Sequence, residues 1–327
     1  MNKSKLITMK EAVDKYTYDG MYFAHGGALP VGSDCISFFR EMVKAGRKDI
    51  DIASNCNTQG TNLLAAVGGL KRMEVGFSGL EVYGFANGLK RAVESGQTIL
   101  EDYSNGSMPI RMMAGALNWP FVPMFMNTGC DQQWASADDP ENYPNTKKIP
   151  EITDPFTGKV CGAFTPIKPD VAAIHVTMAD IYGNAIMLGT EWCRYELSRC
   201  SKKVILCADK IVDTGVMKQF PNLVRIPYVV VDAVVYAPYG VWPACSTGLY
   251  DSDEEHMFYM NKMLKTEEGT QEYLQAFGQY DDVWDYVDMI GKERIDKISA
   301  TETAFLMDPY RQWIKTDAEI KELLERR

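Results

Sequence analysis

The sequence alternates short, almost wholly apolar runs with segments whose apolar residues recur at helical spacing. Asp34–Lys44 is such a helical segment, with apolar residues at Cys35, Ile36, Phe39, Met42 and Val43. Strands that are apolar on both faces are typical of a parallel sheet that helices cover on both sides. We therefore predict an α/β fold with an open, mostly parallel sheet and helices on both faces. The predicted strands are Met21–Ala24, Ile50–Ala53, Met73–Phe77, Phe121–Met126, Val171–Val176, Lys203–Ala208 and Val229–Ala233.

Two segments depart from this alternation. Residues 131–169 hold six prolines, which disfavour regular structure, and we predict a long loop that forms an arm or lid over a site. From Asp251 onward the chain turns helical and more charged, with predicted helices at Asp253–Leu264, Gln271–Phe277 and Asp317–Glu325. The expected organisation is an α/β domain over residues 1–250 and a helical C-terminal extension over residues 251–327, packed on the same domain.

Two helix starts carry a capping-box spacing, in which a hydroxyl and a carboxylate each bind a backbone N–H that the helix leaves free. Thr8 and Glu11 predict the start of the first helix, and Thr316 and Glu319 predict the start of the last one.

Charge indicates which partners to expect, and cysteine usage indicates the compartment. The formal charge is −10, with 34 basic and 44 acidic residues, and the densest basic group, Lys44, Arg47 and Lys48, falls at a predicted helix end. We therefore expect no nucleic acid and no membrane as a partner. The eight cysteines form no C-x-x-C pair, and residues 1–10 are too polar for a signal peptide, so we expect a cytoplasmic protein.

Several common catalytic motifs are missing. The sequence has no P-loop, no G-x-G-x-x-G after its first strand and no G-x-S-x-G elbow. Its three histidines, His25, His175 and His256, are far apart, so a sequence-local metal site is not expected. His175 lies within an apolar run and is interpreted as a core or strand-end residue. His25 precedes Gly26 and could orient a loop or meet a substrate.

Gly26 and Gly27 follow the first predicted strand of the sheet. Ligands of open parallel sheets bind beyond the carboxyl ends of the strands. Two glycines there allow close backbone approach, and their N–H groups could stabilise an oxyanion during acyl transfer. A tight turn without a ligand is the alternative that this pair alone leaves open.

Longer stretches carry a more specific signal. They are LITMKEAVDKYTYDGMYFAHGG at 6–27, Glu94–Gly96 with Asp102–Ser104, Trp119–Pro123, Asp170–His175 with Asp180–Asn184, and above all VDAVVYAPYGVWPACSTGLYD at 231–251. Together these stretches resemble family I coenzyme A-transferase α chains, in particular that of glutaconate CoA-transferase. The opening stretch is similar to the family's helix, strand and glycine turn.

The resemblance implies a ping-pong reaction through a glutamyl-CoA thioester. It implies that Gly26 and Gly27 are the oxyanion donors and that a β subunit supplies the glutamate, so that no catalytic residue is expected on this chain. Coenzyme A would enter as a thioester substrate, with no cofactor permanently bound, and the complex would be α2β2 or larger. The substrate-binding residues expected here are His25, Gly26, Gly27, Ala28, Gly129 and Gln132.

This chain departs from the family pattern in two places. Ala28 stands where the family turn usually has phenylalanine, and residues 28–34 lack the Arg-Lys pair of the glutaconate enzyme. We therefore expect a less anionic acid than glutaconate as substrate. Glu94 superficially resembles the β-chain glutamate motif, but it falls at a helix end and aligns with the α chain's own motif.

Two other functions stay open at this point. Some heteromeric proteins of this fold are hydrolases that open a carbon ring in a CoA thioester with an acidic residue of the α chain, for which Glu101 and Asp102 are the nearest candidates. The chain could also be a non-catalytic ligand-binding subunit.

Overall fold

The computed structural model describes residues 3–27, 34–133, 148–299 and 301–326. Within these ranges the strands are β1 Leu6–Ile7, β2 Tyr22–His25, β3 Ile50–Cys56, β4 Leu70–Phe77, β5 Ile99–Asp102, β6 Val122–Met124, β7 Glu151–Thr153, β8 Val160–Phe164, β9 Val171–Ala179, β10 Ala185–Ile186, β11 Lys203–Ile211, β12 Val224–Ile226 and β13 Ala233–Tyr236. The α-helices are α1 Met9–Tyr16, α2 Ile36–Lys44, α3 Gln59–Ala66, α4 Asn87–Glu94, α5 Ser107–Ala116, α6 Arg194–Cys200, α7 Thr214–Gln219, α8 Glu254–Met263, α9 Glu267–Phe277, α10 Val283–Ile290, α11 Lys292–Ser299 and α12 Asp317–Glu325.

The central sheet has the strand order β1-β13-β11-β9-β2-β3-β4-β5, and every neighbouring pair along this path is parallel. Short antiparallel strands β10 and β12 extend it beside β9. This is the open, mostly parallel α/β sheet that the sequence predicts.

Helices cover both faces of the sheet. Successive residues of a strand point to opposite faces, so each strand packs against helices on both sides. On β2, Phe23 packs into one core with Phe38 and Phe39 of α2, whereas Ala24 packs into another core with Met108 and Met112 of α5. Both cores are fully buried, which explains why these strands are almost continuously apolar.

Two predicted strands are corrected by the structure. Phe121–Met126 is predicted in the parallel sheet, but β6 pairs antiparallel with β8 in a separate three-stranded sheet with β7. Val229–Ala233 is predicted as a strand, but residues 228–230 form a 3-10 turn after Pro227, and β13 begins only at Ala233. The residues from 229 to 236 are apolar except for Asp232, so the sequence does not mark this boundary.

The proline-rich stretch is partly regular, contrary to prediction. Strands β7 and β8 lie within residues 148–169, where the antiparallel pairing of Ile152 with Cys161 supplies backbone hydrogen bonds between the prolines. Residues 134–147 lie outside the described ranges. The arm or lid role of residues 131–169 stays a prediction.

Helices α8 and α12 begin within one residue of the predicted positions, whereas α9 begins at Glu267, before the predicted Gln271. Helices α10 and α11 are not predicted from the sequence. Both capping boxes are confirmed: the Thr8 and Thr316 N–H groups each donate to the carboxylate three residues on, at 2.8 Å. The division of the chain at residue 250 stays a prediction. No helix in the described ranges has the length and apolarity needed to cross a membrane.

Candidate active site

The order of the strands defines a crevice between β2 and β9. From β2 the chain proceeds outward through β3, β4 and β5, and from β9 it proceeds to the opposite edge through β11 and β13. Open α/β sheets bind ligands at such a switch point, beyond the carboxyl ends of the strands. The glycine pair at 26–27 follows β2 directly and therefore lies at this point.

His25 ends β2 and is buried. Its Nδ1 lies 2.9 Å from Oδ1 of Asp34, and neither side chain is accessible to solvent. Its ring meets Phe39 edge-on, with 5.1 Å between centroids. This contact joins the two ends of the segment between residues 25 and 34. It supports the orienting role considered for His25, and direct contact with a substrate stays a prediction.

Neither Gly26 nor Gly27 has room for a side chain. A Cβ on Gly26 would lie 2.3 Å from Cγ of Arg194, and one on Gly27 would lie 2.9 Å from Cα of Asp34. Gly27 also has φ +147°, a backbone conformation that L side chains rarely adopt. The glycines are therefore required by the packing of the turn. Ala28, which the sequence also predicts at the site, lies outside the described residues.

Arg194, at the start of α6, packs against this turn and is not predicted from the sequence. Its Nε donates to Glu191 O and its NH1 to His175 O, both at 2.9 Å, and its NH2 donates to Thr190 O. Burial lowers the pKa of the guanidinium to about 10, which leaves it protonated at neutral pH. No sequence motif marks this residue, because its partners are backbone carbonyls.

Two thiols lie near the same edge. Cys56 ends β3, and burial followed by the charge of Glu81 raises its pKa to about 11. Cys193 precedes α6, and burial, then Glu196 and then Cys56, raise its pKa to about 12. Both are therefore neutral thiols at physiological pH, which argues against either as a nucleophile.

Gln132 contacts the end of β5, and the Gly129 N–H donates to Gln133 Oε1 at 3.1 Å. Gln132 Nε2 donates to Asp102 Oδ2 at 2.9 Å and to Tyr103 O at 3.2 Å. Three strand spacings separate β5 from β2, about 14 Å. The role of Gly129 and Gln132 in the acyl pocket stays a prediction.

The acidic residues singled out in the sequence are engaged or remote from the turn. Glu101 Oε2 lies 2.8 Å from Lys148 Nζ, in an ion pair that is almost wholly buried. Asp102 accepts from Gln132, and Glu94 is exposed at the end of α4, 3.7 Å from Lys90. Through these contacts Glu101 and Asp102 belong to the packing at the edge strand β5.

His175 is a core residue, as predicted. It is fully buried in β9, and its Nε2 lies 2.8 Å from Asp209 Oδ2 on β11. Ser246 Oγ donates to the same Asp209 oxygen at 2.7 Å. No sequence pattern indicates this three-residue cluster, because its members are at least 34 positions apart.

With this geometry in place, comparison with known proteins assigns the class. Residues 6–237 match the profile of the Coenzyme A transferase family, and the chain belongs to that family. The matched range ends just after β13, so it covers the whole parallel sheet and leaves out the C-terminal helices.

Individual relatives are similar over most of this chain, and a solved structure shares its fold. An uncharacterised protein of Archaeoglobus fulgidus is 33% identical over 302 residues, which are 91% of this chain and 65% of that protein; this chain thus spans about two thirds of its length. A glutaconate CoA-transferase subunit of Acidaminococcus fermentans is 28% identical over 317 residues, 91% of this chain and 93% of that one. The crystal structure of the glutaconate CoA-transferase of this organism matches with a TM-score of 0.85 at 24% identity, over 91% of this chain and 96% of that one.

More distant relatives carry the name of a different activity. The cholesterol ring-cleaving hydrolase IpdA subunit of Mycobacterium tuberculosis is 22% identical over 253 residues, 74% of this chain and 82% of that protein.

Proposed function

We propose that this chain is the α-type subunit of a heteromeric CoA-transferase, which moves CoA between an acyl-CoA and a carboxylic acid. The observation that carries the proposal is the Gly26–Gly27 turn at the switch point between β2 and β9, in a chain that belongs to the coenzyme A transferase family. The glutaconate CoA-transferase relative is named as one subunit of its enzyme, which supports a partner chain for this one.

In the proposed reaction a glutamate carboxylate of the partner attacks the thioester carbonyl carbon, and the CoA thiolate leaves. The thiolate then attacks the glutamyl carbonyl of the resulting anhydride, which releases the first acid and forms a glutamyl-CoA thioester. The second acid repeats these steps in reverse and leaves with CoA. Each attack places negative charge on a carbonyl oxygen, to which the N–H groups of Gly26 and Gly27 would donate.

The state of the candidate nucleophiles supports a glutamate on the partner. Glu101 is held by Lys148, Asp102 accepts from Gln132, and the buried thiols Cys56 and Cys193 have raised pKa values. On this proposal the glycine turn would supply the N–H donors to the oxyanion, and the carboxylate would come from the β subunit. We expect an α2β2 or larger complex in the cytoplasm.

The sequence of the turn favours a substrate less anionic than glutaconate. Residues 28–33 contain no base, and Asp34 is engaged by His25. A monocarboxylate would need no cationic partner at that end of its acyl chain. The proposal would be wrong on this point if a dicarboxylate proved the best acceptor.

The test begins with the tagged chain purified from its native host, with mass spectrometry of the proteins that accompany it. The eluate is incubated with acyl-CoA and a panel of labelled mono- and dicarboxylic acids, and exchange of CoA between acids is measured. The expected result is a smaller partner that becomes modified at one glutamate during exchange. Exchange by the lone chain would place the nucleophile here, with Glu94 and Glu101 the first residues to substitute.

A ring-opening hydrolase is the second function that the same eluate tests. The similarity to the IpdA subunit favours this function, although the identity is only 22%. The buried ion pair of Glu101 with Lys148 argues against Glu101 as its acidic residue. Cleavage of a carbon–carbon bond without exchange of CoA would establish it. A stable partner with neither activity would favour a non-catalytic binding subunit.

A further inference from the structure

We infer that the buried positive charge of Arg194 stabilises the oxyanion that the Gly26–Gly27 turn would bind. The inference rests on the proposed function, since it assumes acyl transfer at that turn. It adds to the proposed site a fixed positive charge that this chain itself provides.

The first observation is packing. The aliphatic stem of Arg194 fills the space that a side chain on Gly26 would need, with Cγ 2.3 Å and Cδ 3.3 Å from the position of such a Cβ. The arginine side chain is therefore in direct contact with the backbone that would present the N–H groups. A shift of this stem would shift the turn with it.

The second observation is charge. Arg194 is fully buried, yet among the described residues no carboxylate forms an ion pair with its guanidinium, which donates to three backbone carbonyls instead. Glu191, whose charge acts on Arg194, is itself paired with Arg225 Nε at 2.6 Å. Arg111, by contrast, is equally buried and lies 2.6 Å from a Glu74 oxygen.

A buried charge without a counter-ion is costly, so its retention calls for a physical reason. Carbonyl dipoles hold the guanidinium in place but do not cancel its net charge. In a site of low dielectric, that charge lowers the energy of a negative oxygen at the adjacent turn more than it could in water. The charge is fixed before the reaction, so no reorganisation is needed when the oxyanion forms.

The alternative is a purely structural role. Trp192 and Cys193 have φ values of 42° and 64°, in the left-handed region, and the bonds from Arg194 to Thr190 and Glu191 hold this strained turn. Under that interpretation the charge itself has no effect on catalysis, and only the shape of the side chain is important.

The test uses the α chain with its co-purified partner and compares Arg194→Met, Arg194→Lys and Arg40→Met. Arg40 is a matched control: it is buried, donates to Tyr273 OH and Phe277 O, and belongs to the packing between α2 and the C-terminal helices. Arg194→Met should lower kcat about tenfold or more with KM within about twofold, while Arg40→Met should lower stability without that loss of kcat.

The lysine variant separates charge from shape. A buried lysine has a lowered pKa, so its charge is present at low pH and is lost as pH rises. The kcat of Arg194→Lys relative to wild type should therefore rise as pH falls. The carbonyl stretching frequency of a ¹³C-labelled acyl-CoA bound to this variant should also decrease as pH falls.

A folded Arg194→Met complex with kcat within twofold of wild type would overturn the inference, as would an Arg194→Lys profile that parallels wild type at every pH. If Arg194→Met does not fold, the lysine profile decides. Absence of CoA exchange in the wild-type complex would instead refute the proposed function, which keeps the two failures distinct.

Discussion

Lys148 Nζ lies 2.8 Å from Glu101 Oε2, and the two side chains are 2% and 0% exposed. Lys148 also donates to the Asp102 carbonyl at 2.8 Å. The pair fastens the chain just after residue 147 to the edge strand β5. Removing the lysine would take an ion-pair partner away from a carboxylate that is wholly buried.

We therefore predict that Lys148→Ala lowers the free energy of unfolding by about 3–5 kcal/mol, measured by urea denaturation. The control is Lys202→Ala, which breaks the more exposed pair with Asp170 and should cost about 1 kcal/mol or less. Equal losses for the two variants would contradict the assignment of Lys148 as part of the buried packing.

Substitution of Gly26 by alanine should lower both stability and exchange. The new methyl group would lie 2.3 Å from Arg194 Cγ, so the side chain and the turn must separate, at about 1–3 kcal/mol. We expect kcat in the CoA-exchange assay to fall at least about tenfold, because the N–H donors move with the turn.

Gly106→Ala is the matched control, since its new methyl group would meet the Met126 sulfur at an ordinary 3.5 Å. That variant should keep wild-type stability within about 1 kcal/mol. Normal exchange by Gly26→Ala would exclude this turn as the oxyanion site.

We predict that the folded protein loses stability in mild acid because of His256. Arg294 NH1 lies 3.1 Å from its Nδ1, and because arginine can only donate, the neutral ring accepts there and donates from Nε2 to Tyr273 OH at 3.1 Å. Burial, then Arg40 and then Arg294, lower the pKa of His256 to about 2.

In the unfolded chain His256 binds a proton below its ordinary pKa of about 6.5, whereas the folded chain resists protonation. Its contribution to stability is therefore full above that pH and declines as pH falls. The loss is about 2–3 kcal/mol between pH 6.5 and 4.5. Denaturant titrations should give a shallower dependence for His256→Gln; an unchanged dependence would show that His256 is not its source.

We predict that exposed and buried thiols differ strongly in their rates of alkylation. Cys130 is exposed, whereas burial raises the pKa of Cys56 to about 11, so roughly one Cys56 in a thousand is a thiolate at pH 8. In the native protein iodoacetamide should modify Cys130 at least about 100-fold faster than Cys56 or Cys193, measured by peptide mass spectrometry. The Cys56 rate should rise about tenfold per pH unit; rapid labelling at pH 8 would contradict its burial.

Features set by neighbouring residues were predictable from the sequence. The capping boxes at Thr8 and Thr316 need only a side chain and a backbone N–H three residues apart. The central strands were predictable because parallel pairing buries both faces and makes the apolar run continuous. Strand β6 was misplaced because an apolar run of this length does not say which sheet it joins.

The parts of the site that escaped prediction depend on distant partners. Arg194 contacts Gly26 from 168 positions away, and its hydrogen bonds go to carbonyls, which every residue type provides. The glycine pair itself could be found because it directly follows an apolar strand in the sequence. Gln132 could not be placed relative to it, since the number of strands between β2 and β5 is a property of the topology.

The order of the strands also has a consequence for synthesis. Strand β2 leaves the ribosome early, but its neighbour β9 begins only at Val171. Until then one side of β2 has no partner, and the glycine turn has neither its crevice nor the arginine stem beneath it. The candidate site therefore cannot assemble before residue 194 has emerged, and a nascent chain released earlier would contain the glycines without the site.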